Sequence, residues 1–101
     1  MSTKKNPHKI VPFVLKRQWF DMIAAGIKPE EYREITPYWA VRLEPLFTQP
    51  PEFLRFYLGY QANRPMVQKQ FIGIEKRTGN PQWGAVPDKI YYVIIFKDYG
   101  K

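Results

Sequence analysis

A chain of 101 residues and 12.1 kDa is the size of one domain. Its 45% apolar and 25% charged residues are globular proportions, which argues against wholesale disorder, and seven Phe, seven Tyr and three Trp make the core aromatic-rich. With no Cys, one His and Ser2 as its single serine, the chain lacks the side chains for thiol chemistry, a structural zinc site or a serine relay, because His8 and Ser2 both fall in a polar N-terminal arm. No metal site and no cofactor are expected.

Residues Met1–Lys9 read as a flexible basic arm and residues 10–101 as the single domain. Ile10–Lys16 (IVPFVLK) is apolar and rich in β-formers, a first strand in which Pro12 marks an edge or a bulge. In Gln18–Ala25, Trp19, Phe20, Met22 and Ile23 share one helical stripe, and Gly26 is placed to cap its C-terminus. Glu30–Ile35 is a polar strand. Thr36 caps a second helix over Pro37–Phe47, with proline in its first turn. Three strands complete the chain: Phe53–Tyr60, Met66–Arg77 with a bulge at Gly73, and the continuously apolar Ile90–Phe96, buried on both faces. The order of elements gives an α+β fold, a small mixed β-barrel of about five to six strands with two short helices. No apolar run approaches the ~18 residues of a membrane span and no signal peptide opens the chain, so it reads as soluble and cytoplasmic, with no membrane partner.

The net charge of +7 is uneven: residues 1–17 hold five Lys/Arg and no acid, whereas residues 18–45 hold three basic and five acidic side chains. A basic excess favours polyanionic partners through counterion release and long-range steering, although a solvated basic surface has the same composition. The densest polar stretch is Gly26–Arg33 (GIKPEEYR). On a strand Glu31 and Arg33 point to one face and Tyr32 to the other with Glu30 and Glu34; Pro29 lets Lys28 swing towards Glu31 and Arg33. Such a cluster can hold an anion with its cations while the carboxylate orients them; it can equally be a charge-paired strand face. Tyr60 and Trp83 adjoin glycines at strand ends, where rings line cleft mouths and stack on bases, and Arg42, Arg55 and Arg64 are candidate phosphate contacts. Periodicity places Trp19, Trp39 and Tyr91 in the core.

The motif G-x-K-x-x-E-x-R at Gly26, Lys28, Glu31 and Arg33, after an apolar strand and the WFDMI helix, resembles that of the ASCH domain family in the PUA-like superfamily. The likeness continues through Pro37-Tyr38-Trp39, RFYLGY, Arg64-Pro65, Trp83-Gly84 and the closing YYVIIF, so that it covers about residues 10–98. The resemblance implies a small β-barrel with a cleft beside the motif that binds RNA or a nucleotide-like ligand; together with the reading of the residues, in which Tyr60 and Trp83 are equally open to being core or rim packing, it gives Lys28, Glu31, Arg33, Tyr60, Arg64 and Trp83 as the ligand-binding candidates. One branch of the family resembles small amidohydrolases acting on acylated cytidine with a Lys, a Thr and a Glu. Here Lys28 matches the Lys, Glu31 stands at the Thr position, and the catalytic Glu has no clear counterpart, since spacing does not support Glu75. Lys28 and Glu31 are the catalytic candidates under that alternative and under a more remote ribonuclease reading. A protein-interaction module is a further alternative.

Overall fold

The computed structural model describes residues 6–99, with side chains from Val11 onward; residues 1–5 of the basic arm lie outside the described residues. The first strand, β1 (Asn6–Leu15), starts four residues before the expected boundary of the domain. It pairs in parallel with β3 (Pro51–Leu58), in register from Ile10↔Phe53 to Leu15↔Leu58. Pro12 fits there because β1 is an edge strand, whose outward side requires no N–H donor.

Helix α1 (Arg17–Ala24) buries Phe20 and Ile23, one turn apart, against the sheet. Gly26 follows with φ +79°, a left-handed conformation that glycine adopts without steric cost. That reversal lets the N–H groups of Ile27 and Lys28 both donate to Met22 O, at 2.9 and 3.1 Å, and so folds Lys28 back beneath the helix. Strand β2 (Glu30–Glu34) then pairs antiparallel with β5 (Ile90–Lys97), with Glu31 opposite Ile94 and Arg33 opposite Tyr92.

Helix α2 (Pro37–Leu43) begins as expected: the Thr36 hydroxyl accepts from Trp39 N at 3.2 Å, and proline occupies the first turn. It ends earlier than the sequence reading proposes. Residues Glu44–Phe47 form a 3-10 turn, because Pro45 has no N–H to donate and its ring displaces the preceding turn. Strand β4 (Met66–Thr78) joins β3 to β5, and its register slips between Phe71 and Gly73. Ile72 is the extra residue there, turned out to solvent.

The sheet runs β1-β3-β4-β5-β2 and curls into a half-barrel, antiparallel except where β1 meets β3. Its concave face carries the main core, including Phe13, Leu54, Phe56, Phe71, Tyr92 and Phe96, capped by Phe20 and Ile23 from α1 and Leu43 from α2. A smaller cluster of Tyr91, Val93 and Ala85 lies on the opposite face. Both faces of β5 are therefore dry, which is why its sequence shows no polar alternation. The edge strands β1 and β2 are joined by a side chain: Arg33 Nη2 donates to Val14 O at 3.3 Å.

Candidate functional site

The three motif side chains meet as the spacing predicts, but they are not equivalent. Glu31 Oε1 lies 3.1 Å from Lys28 Nζ and Oε2 lies 2.8 Å from Arg33 Nη2, so one carboxylate is clamped between two cations. Lys28 is 1% exposed. Its ammonium also donates to Glu30 O at 2.8 Å and to Trp83 O at 3.0 Å, and sits 4.7 Å from the Tyr32 ring centre and 5.6 Å from that of Trp19. Three acceptors match its three N–H donors. Burial pulls the Lys28 pKa below the ordinary lysine value, while the charge of Glu31 and its hydrogen bond oppose that shift. The cage thus uses Lys28 to tie β2 to the loop carrying Trp83.

Arg33 leaves the same carboxylate in the other direction. Its guanidinium lies 4.8 Å from the centre of the Trp39 ring and 5.1 Å from that of Phe13. It forms part of the wall of a groove of about 460 Å³, which runs between the β1 edge (Val11, Pro12, Val14) and the exposed side of α2 (Tyr38, Trp39, Arg42) and is reached by Tyr60. Arg33, from β2, reaches across to Val14 O on β1 beside this groove.

The other walls have local causes. Tyr38 and Arg42 are four residues apart on α2 and so share one helix face. The Arg42 guanidinium stacks 3.6 Å from the Tyr38 ring centre and donates to Tyr38 O at 2.8 Å. Tyr38 in turn meets Trp39 edge to face, with ring centres 5.1 Å apart. Tyr60 follows Gly59, whose φ of +73° makes the turn after β3, and its side chain is 84% exposed. Gly59 N donates to Leu15 O at 3.3 Å, and Arg64 donates to Gly59 O at 3.0 Å while stacking 4.0 Å from the Tyr57 ring centre.

Of the six expected ligand residues, Arg33 and Tyr60 line this groove. Glu31 holds Arg33 from behind, and Arg64 braces the turn that presents Tyr60. Lys28 belongs instead to the wall of a second, smaller recess of about 270 Å³ with Lys69, Lys97 and Asp98, where Lys69 is ion-paired to Asp98. Trp83 reaches the cluster through its backbone carbonyl. Arg42 is in the groove, whereas Arg55 is engaged with Gln68 on the sheet at 2.7 Å. Trp39, assigned to the core by periodicity, packs on that core half-buried and also forms groove wall. Tyr38, which enters the sequence reading only within the Pro37-Tyr38-Trp39 likeness, also lines the groove, and its four-residue spacing from Arg42 is the signal that marks it. Among the described residues no three His, Cys, Asp or Glu side chains gather as metal ligands would, and no helix is long and apolar enough to cross a membrane. No protein-family model, curated protein or solved structure matches the chain.

Proposed function

We propose that this chain is an RNA- or nucleotide-binding module of the ASCH type, acting in the cytoplasm, and that its ligand occupies the groove between β1 and α2. The observation that carries this reading is the groove's lining: two guanidiniums and three aromatic side chains, with no carboxylate among the described residues that line it. Arginine suits phosphate because its planar fork offers paired donors, and aromatic rings stack on any base. The overall charge of +7 adds steering, and the lack of cysteine fits a reducing compartment. The cage supports binding rather than hydrolysis, because Lys28 is sealed with every N–H committed and so offers little approach to a substrate.

Fluorescence anisotropy with a short single-stranded RNA tests the proposal. Binding is expected to weaken with salt, the slope of log K on log salt being about −0.7 for each phosphate of a single strand that is contacted. Affinity should fall by about tenfold or more in Arg42→Ala and in Tyr60→Ala, both exposed side chains. Salt-independent binding, or unchanged affinity in both variants, would refute the groove as the site. Release of acetate from an acylated cytidine, abolished by Lys28→Ala in a folded protein, would establish the hydrolase instead.

A further inference from the structure

Resting on that reading, we infer that the groove is a one-nucleotide site selective for a terminal phosphate monoester, free or at a chain end, rather than for the diester backbone of a continuous strand. Size is the first argument. A volume of about 460 Å³ is that of a small-molecule pocket and holds one nucleotide, not several in succession.

The distribution of charge is the second. Arg33 and Arg42 enter the same groove from β2 and α2, carried on the adjoining Trp39 and Tyr38 rings, whose centres are 5.1 Å apart. Arg33 is already half-compensated by Glu31 behind it, whereas Arg42 meets a backbone carbonyl and a ring face. A monoester near neutral pH carries close to two negative charges and three terminal oxygens, enough to engage both guanidiniums; an internal diester carries one charge.

The availability of ring faces is the third. The Tyr38 ring carries Arg42 and the Trp39 ring carries Arg33, with Phe13 stacked 6.2 Å from it. Tyr60, at 84% exposure, is the most open of the groove rings, against 57% for Tyr38, and among the described contacts it carries no stacked cation or ring. One free platform and one paired cation site specify one base and one phosphate. A strand reader instead needs platforms and cations in succession.

Isothermal titration of the full chain decides this with one base in six forms: 5′-monophosphate, 3′-monophosphate, 3′,5′-cyclic monophosphate, nucleoside, and a dinucleotide with and without a terminal phosphate. Inorganic phosphate is titrated alongside. A monophosphate should bind at least about tenfold more tightly than the cyclic diester and the nucleoside, and Arg42→Gln should remove that margin. Arg17→Ala, which removes an exposed charge on α1, should leave it intact. A phosphorylated dinucleotide exceeding the mononucleotide assigns the site to chain ends, and the reverse order assigns it to free nucleotides; both uphold the selectivity. Equal binding of the cyclic diester and the monoester overturns the inference but leaves nucleotide binding standing. Equal binding of inorganic phosphate and the nucleotide overturns the one-base site. Absence of binding by every probe overturns this inference, and the anisotropy titration with single-stranded RNA then decides the proposed function by itself.

Discussion

Lys28 and Arg42 carry the same charge and lie on either side of the Glu31–Arg33 pair, yet their surroundings are opposite. Lys28 gives up water for one carboxylate and two backbone carbonyls, and is held there from α1, β2 and the Trp83 loop. Arg42 keeps most of its hydration and rests on one ring. A buried cation with complete partners fixes geometry, whereas an exposed cation with incomplete partners is available to a ligand. On the proposed reading, stability and recognition therefore belong to different side chains of one cluster.

The largest expected effect is on the buried side. Lys28→Met leaves two carbonyls and one arm of Glu31 without a donor, and should lower unfolding free energy in urea by about 3 kcal/mol. Arg42→Ala should change it by less than about 1 kcal/mol. Equal losses would erase the distinction. Next comes Gly79→Ala, whose added Cβ would overlap the Tyr32 ring and Ala85, beside the cage; the same titration should show a loss of about 1–3 kcal/mol. Tyr60→Ala should cost about 1–3 kcal/mol in nucleotide affinity while the thermal midpoint stays within a few degrees of the parent.

The smallest effect sharpens the contrast through pH. Burial acts to raise the Glu30 carboxyl, but hydrogen bonds from Arg77 and Tyr32 and the charges of Arg77 and Lys28 outweigh it and hold the carboxyl below its ordinary value. Below about pH 4.5 the unfolded chain takes up this proton before the folded one, so stability falls with pH through that window and is fully retained above it. Glu30→Gln should flatten the acid limb of the stability profile, followed by circular dichroism.

Much of this was legible from local pattern. Thr36-Pro37 announced a helix start, Gly26 its predecessor's end, and the unbroken apolar run of β5 its two dry faces. The contact of Lys28, Glu31 and Arg33 followed from strand alternation and one proline. Pro45 is equally visible, but the apolar phase of Leu43, Leu46 and Phe47 masks its consequence: the 3-10 turn still sends Leu46 inward and leaves Phe47 exposed. The groove was harder to read. It depends on two strands at opposite ends of the sheet order meeting through a side chain, and on carbonyls that spend the donors of Lys28. Backbone acceptors are common to every residue, so residue identity does not reveal which of them a cation will find.

The parallel pairing of the first strand with the third has a consequence during synthesis. Strand β1, one lip of the groove, finds no neighbouring strand until residue 58 has been made, and β2, which carries Arg33, waits for residue 95. The two edges that Arg33 joins are thus each set by long-range pairings rather than by local ones, the kind of contact that forms late in folding.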